Sequence, residues 1–211
     1  MMKNPSKVRL YGAGGHSRII QSILKQKGTV ITEIFDDNPS FYQSTYNNAV
    51  LEGRKIAKKF PHKGNPFIIA VGDNFHRFEI AKFLQSDFTK IIHPSAVIEE
   101  NVKIGNGTVV YAGAVIQPNT TIGQHVIINT LASVDHDNIL EDFVHISPNA
   151  TLCGLVHIGK GTHIGAGAVV IPNIKIGKWC TIGAGSVIIK DVPDYAVVVG
   201  NPGKIIKYKS P

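Results

Sequence analysis

The sequence predicts a mixed fold: a small N-terminal α/β domain over residues 1–90, then a solenoid of short parallel strands over residues 91–211. Three observations predict it. Branched aliphatic residues recur at every sixth position from Ile92 to Ile188 without a skip. The residues before them lack that period and alternate strand-like with helix-like stretches. The first strand-like stretch runs into a glycine-rich turn, Gly12-Ala13-Gly14-Gly15-His16-Ser17.

In the front domain, KVRLYGAGGHSRIIQSILKQKG reads as a strand, a turn and a helix with Ile19, Ile20, Ile23 and Leu24 on one side. VITEIFDD (30–37) is a second strand ending in Asp36 and Asp37. PFIIAVGDN (66–74) is another, with Gly72 near its end, and HRFEIAKFLQ (76–85) is a helix. Strands alternating with helices imply a parallel sheet that takes ligands at the carboxyl ends of its strands. The turn matches a dinucleotide fingerprint in part, because Ser17 stands where the third glycine belongs; by itself it is also an ordinary tight strand-to-helix turn. Asp36, twenty-two residues after Gly14, is spaced to receive a ribose hydroxyl. A domain of this size suits half a dinucleotide, so it reads as a nucleotide-sugar domain.

A period of six excludes the 3.6 of a helix. Four residues after each aliphatic comes a second restricted position, mostly small: Ala114, Thr120, Val126, Ala132, Asn138 and onward to Cys180 and Ser186. Glycine often follows the aliphatic, as in Ile104-Gly105 and Ile164-Gly165. This suits short extended segments, each with one aliphatic side chain pointing inward, joined by turns that glycine permits. Three segments close a triangular coil of eighteen residues, and stacked coils pair as parallel strands. A step of eighteen then puts His136, Gly154 and Pro172 at one corner of successive coils, and Pro148, Ala166 and Ala184 at another. His136, third in the hexad Val134–Ile139, belongs to a turn and points outward.

Composition narrows the function. Hydrophobic content of 43% with 18% charge describes a folded soluble protein. No apolar run reaches the roughly eighteen residues of a membrane span, and the N-terminus lacks the apolar core of a signal peptide. Cys153 and Cys180 are too few for a disulfide framework and fit a reducing cytoplasm. The net charge of +7 is dispersed. Its two short runs, Lys55, Lys58, Lys59 and Lys204, Lys207, Lys209, read as solvated surface, which argues against nucleic acid and suits a phosphate-rich small molecule.

The segment DVPDYAVVVGNPGKII (191–206) resembles the closing segment of the hexapeptide-repeat acyltransferases, in which a Val-Gly-x-Pro turn follows the last coil. That resemblance implies a left-handed parallel β-helix and a homotrimer. With the GAGGH turn and the strand ending in two aspartates, the whole chain resembles the sialic acid O-acetyltransferase-like group. This group includes bacterial N-acetyltransferases acting on UDP-4-amino-4,6-dideoxy sugars. The resemblance makes the front domain Rossmann-like and implies a nucleotide-sugar substrate, acetyl-CoA as co-substrate and no metal. Gly14, Gly15 and His16 would lie against the diphosphate, Asp36 and Asp37 at the base and ribose, and Gly72 beside the nucleotide. His136 would accept the proton, with Asp137 as the family-matched carboxylate, and the acetyl group would pass directly, without an acyl-enzyme. His145 would meet the acetyl-CoA arm. Gly154 would give its N–H to the thioester oxygen, and Ala166 and Ala184 would hold the pantetheine through the main chain. Relatives often carry serine where this chain has Gly14, and glutamate where it has Asp137.

The chemistry fits those residue types. Acetylating an amine requires a proton to leave nitrogen as it attacks the thioester, and neutral imidazole titrates near working pH. A carboxylate on the other ring nitrogen fixes the tautomer; Asp137 and Asp135 both stand beside His136. Cys153 and Cys180 read as packing residues. His157 and His163 read as outer-face residues, although with His145 they form a possible metal set. Two other functions stay open on sequence: O-acetylation of a sugar or sialic acid, and a non-catalytic β-helical binding protein.

Overall fold

The structure is a computed structural model and describes residues 6–42, 50–54 and 64–210. The lysine run Lys55, Lys58 and Lys59 lies outside the described residues. Residues Met1–Pro94 and Ser95–Pro211 form two compact units.

The first unit is a parallel sheet of four strands in the order β3-β2-β1-β4. These are β1 (Lys7–Tyr11), β2 (Val30–Asp36), β3 (Val50–Glu52) and β4 (Phe67–Ile69), with helices α1 (Gly15–Gln26) and α2 (Asn74–Leu84). β1 is buried on both faces: Val8 and Leu10 on one, Arg9 and Tyr11 on the other. That is the pattern of a central parallel strand covered from both sides. Arg9 tolerates its position because its guanidinium lies 4.6 Å from the Phe67 ring centre and Nε donates to the Asn65 carbonyl. In α1, Ile20, Ile23 and Leu24 are buried, but Ile19 is 46% exposed and does not share their face.

The turn after β1 depends on Gly12. Its φ is +117°, and a β-carbon there would meet the Ala70 carbonyl oxygen at 2.6 Å. Conformation and space both reject a side chain. Gly12→Ala therefore destabilises the chain by about 2 kcal/mol or more. Urea unfolding checks this, and an unchanged midpoint contradicts it.

The second unit is a parallel β-helix, as the hexads predict. Its two-residue strands pair with a constant offset of eighteen, for example Ile127↔His145↔His163↔Thr181 and Ser133↔Thr151↔Val169↔Val187. Every hexad aliphatic from Val110 to Ile188 is at most 2% exposed, while Ile92, Ile98 and Ile104 in the first coil are half-buried. The turns carry a second period that composition hides. From Asn101 to Gly185, each sixth residue has positive φ, including Leu131, Asp137, Phe143, Leu155 and Trp179. This left-handed residue comes three after the aliphatic, so the glycines directly after the aliphatics do another job. A β-carbon on Gly105 would sit 2.6 Å from the backbone of Gly123 one coil on, so these glycines allow coils to approach. After Ile188 the offset falls to sixteen, as in Thr181↔Val197, and the coil closes. Lys204–Tyr208 folds back antiparallel to Ala196–Val199, with Lys204 and Lys207 exposed on it and Lys209 exposed just after it.

Candidate active site

His136 sits on an exposed turn between the strands Ser133–Val134 and Ile139–Leu140. Its side chain is 52% exposed. Nδ1 lies 2.8 Å from Asp137 Oδ2, and the His136 backbone N–H donates to Asp135 Oδ1 at 2.8 Å. The two aspartates divide the work: Asp137 holds the ring and Asp135 holds the turn. Asp137 reaches the ring because it takes the left-handed position, with φ +57°. The bond from Asp137, helped by the charges of Asp135 and Asp137, raises the His136 pKa above the ordinary imidazole value. With Nδ1 donating to the carboxylate, Nε2 becomes the basic nitrogen.

One coil on, Gly154 is buried and lies beneath the ring. A β-carbon there would stand 2.5 Å from His136 Cε1 and 2.6 Å from Nε2. The Leu155 N–H donates to the His136 carbonyl, and the Asn173 N–H to that of Gly154, so the corner stacks through its backbone. Cys153 is half-buried beside this contact, and Cys180 is fully buried with its thiol donating to the Pro193 carbonyl.

His145 lies on another face, in the strand His145–Ile146. Its Nε2 is 3.1 Å from Asn129 Nδ2. The Thr130 N–H donates to Asn129 Oδ1, which turns the amide NH2 towards His145 and makes Nε2 the acceptor. The His145 and His163 rings stack, with centres 4.7 Å apart, and His163 Nε2 lies 2.7 Å from Ser147 Oγ. His163, beside the inward-pointing Ile164, is half-buried by this stack on the outer face of its strand. His157 pairs with Glu141 at 2.9 Å. Among the described residues, no group of three or more His, Cys, Asp or Glu could hold a metal ion. Ala166 and Ala184 are exposed at a third place, the corner that leads into Val169–Val170 and Val187–Ile188, and the Gly185 N–H donates to the Ala166 carbonyl. Within one chain, then, His136, Asp137 and Gly154 come together on one edge, while Ala166 and Ala184 share another.

In the first unit, Gly14 caps α1 without a side-chain hydrogen bond, and Gly15 and His16 open the helix. Asp36 braces the turn: Oδ2 accepts the Ala13 N–H at 2.7 Å and Oδ1 the Asn38 N–H at 2.8 Å. Asp37 accepts from the Tyr11 hydroxyl at 2.7 Å and the Arg54 N–H at 2.8 Å, and pairs with the Arg54 guanidinium. A carboxylate has further lone-pair sites, so these bonds leave room for a ligand donor. Gly72 gives its carbonyl to Arg77, a fully buried guanidinium that also reaches the Val71 carbonyl and Asn74 Oδ1. Burial, and then the charge of Arg77, push the His16 pKa down to about 4, so His16 is neutral at physiological pH.

Known proteins carry the same parts. Residues 7–84 match the PglD N-terminal domain, and residues 155–190 match the bacterial transferase hexapeptide (six repeats). The acetyltransferase domain of PglB from Neisseria gonorrhoeae FA1090, in complex with acetyl coenzyme A, is 34% identical; the match covers 96% of this chain and 100% of that one, with a TM-score of 0.88. The chain belongs to the hexapeptide-repeat acyltransferases, in their sialic acid O-acetyltransferase-like group. A second solved structure resembles this acyltransferase equally well. It is a histidine-to-asparagine mutant of perosamine N-acetyltransferase from Caulobacter crescentus in complex with CoA and GDP-perosamine: 32% identical, covering 96% and 97% of the two chains, TM-score 0.90. A curated relative, UDP-N-acetylbacillosamine N-acetyltransferase of Bacillus subtilis (strain 168), is 40% identical over 119 residues, 52% of this acyltransferase. The match spans about half, 51%, of that relative's length.

Proposed function

We propose that this acyltransferase moves the acetyl group of acetyl-CoA directly onto the amino group of a nucleotide-linked 4-amino-4,6-dideoxy sugar, with His136 as general base. The observation that carries this reading is the imidazole held by Asp137 on an exposed edge over the bare backbone of Gly154. The acceptor nitrogen attacks the thioester carbonyl carbon while Nε2 of His136 takes its proton. The carbon–sulfur bond then breaks, and the imidazolium returns the proton to the departing sulfur. The Gly154 N–H stabilises the oxyanion. His145 meets the acetyl-CoA arm, and Ala166 and Ala184 bind the pantetheine through their main chain. In the front domain Gly14, Gly15 and a neutral His16 receive the diphosphate, with Asp36, Asp37 and Gly72 towards the base and ribose. The names of the relatives support the substrate class, since they act on bacillosamine and perosamine nucleotides.

The same reading includes a homotrimer and a cytoplasmic setting, where acetyl-CoA is made. Because His136 and the Ala166–Ala184 column occupy different edges of one prism, a neighbouring copy supplies the second half of each cleft. The exposed Leu131, Ile139 and Leu155 offer apolar surface for such a contact.

A panel of UDP- and GDP-linked amino sugars, assayed for coenzyme A release, tests the proposal. Turnover is expected with a nucleotide-linked 4-amino sugar and not with its hydroxyl counterpart. Release with hydroxyl acceptors alone makes the chain an O-acetyltransferase, and release with none of them overturns the reading. Saturating UDP or GDP should also raise Tm by several degrees, since binding at about 100 Kd contributes roughly 2.7 kcal/mol.

A further inference from the structure

We propose that Asn138 is a positioning residue for His136, its buried carboxamide joining the turn that carries the imidazole to the coil that carries the glycine beneath it. This inference rests on the reading of His136 as the base. Asn138 is 0% exposed. Its Nδ2 donates to the Asp135 carbonyl at 2.7 Å and the Cys153 carbonyl at 3.0 Å, and its Oδ1 accepts the Val156 N–H at 2.7 Å. Asp135 immediately precedes His136, and Cys153 immediately precedes Gly154. One planar group therefore fixes the two backbone segments whose spacing defines the ring-to-glycine contact.

The rest of the interior shows that this is more than the usual corner chemistry. At other corners an inward carbonyl accepts from one hydroxyl or thiol, Thr108 to Gly123, Thr162 to Gly177 and Cys180 to Pro193, whereas the Asp135 carbonyl accepts from both Thr120 and Asn138. Each of these hydroxyls and the thiol donates to a carbonyl of the following coil. Asn138 donates to its own turn and to the next one through two N–H bonds of 2.7 and 3.0 Å, where Cys180 reaches its own turn only at 3.7 Å, on the Lys178 carbonyl. The coil does not itself require an amide at this place, because Thr120, Val156 and Ile174 fill the same column in neighbouring coils. A carboxamide that is 0% exposed persists only with its hydrogen bonds made. Here those bonds converge on the turn with the histidine.

The test compares Asn138→Val and Asn138→Thr with Thr108→Val, which removes a similar buried link at a different corner. Asn138→Val should lower kcat by about tenfold or more, with both KM values within about twofold. Asn138→Thr, which keeps one donor as Thr120 does, should fall between it and wild type. Thr108→Val should keep kcat within about twofold at a comparable loss of Tm. In parallel, NMR titration of the histidine rings in the full chain follows His136. Its midpoint should move towards the ordinary imidazole value in Asn138→Val and stay in place in Thr108→Val. Equal effects of Asn138→Val and Thr108→Val on kcat and on the titration overturn the proposal. If the wild type releases coenzyme A with no acceptor, the functional reading falls. The titration then decides Asn138: a displaced midpoint supports the assignment and an unmoved one overturns it.

Discussion

His136→Ala reduces acetyl transfer by about 10²- to 10⁴-fold, the range a positioned general base contributes, while coenzyme A still binds. The expectation follows from where the side chain stands. It is half-exposed, and its ring is held by Asp137 on the same turn. Its removal leaves no interior cavity, and exposed substitutions of this kind change stability by about 0.5 kcal/mol or less. Coenzyme A release measures the first part of the expectation; calorimetric titration of coenzyme A and the melting temperature measure the second. A variant retaining activity within tenfold of wild type removes His136 from the mechanism. A variant that no longer folds removes the claim that the ring is free of structural duty.

Gly154→Ala is the companion experiment, because it moves the ring without deleting it. Gly154 does not occupy the left-handed region, so alanine fits its backbone. The new β-carbon would lie 2.5 Å from Cε1 and 2.6 Å from Nε2 of His136, closer than atoms can stand. The flexible partner gives way, and the imidazole swings off the glycine. Displacing a reacting group by about 1 Å costs on the order of 10²-fold in rate, and that loss is expected in kcat, with Tm changed little. Steady-state kinetics beside thermal unfolding separate the two. A kcat within threefold of wild type would mean that the ring's contact with Gly154 does not set the reactive geometry.

Much of this architecture was legible because one physical rule repeats. An inward aliphatic every sixth residue fixes the coil, the coil fixes the step of eighteen, and the step puts His136 over Gly154. Residues whose roles come from packing between coils were not legible. Asn138 looked like one more small-position residue, since hexad counting cannot show that its amide reaches two carbonyls on different coils. An amide in a column otherwise filled by Thr120, Val156 and Ile174 was the available signal. Nothing in the helix HRFEIAKFLQ marks Arg77 as buried, yet it is 1% exposed and satisfied by loop carbonyls. Asn129 and Ser147, which orient the stacked histidines, carry no local motif. In the front domain the glycine turn was readable, but not that Asp36 closes it by accepting the Ala13 N–H.

The most direct test of the central claim is the pH dependence of kcat/KM in the wild type and in Asp137→Asn. As the proposed base, His136 has to be neutral to act, and its bond to Asp137 favours the protonated ring, so the wild-type acid limb should lie above the ordinary imidazole value. Removing the carboxylate's charge lowers the pKa. The account therefore predicts that the limb moves to lower pH in Asp137→Asn while the maximal rate falls, because the amide no longer supports the imidazolium. The acceptor amine also titrates, but its contribution stays fixed between the two proteins. An acid limb at the same pH in both would contradict the account.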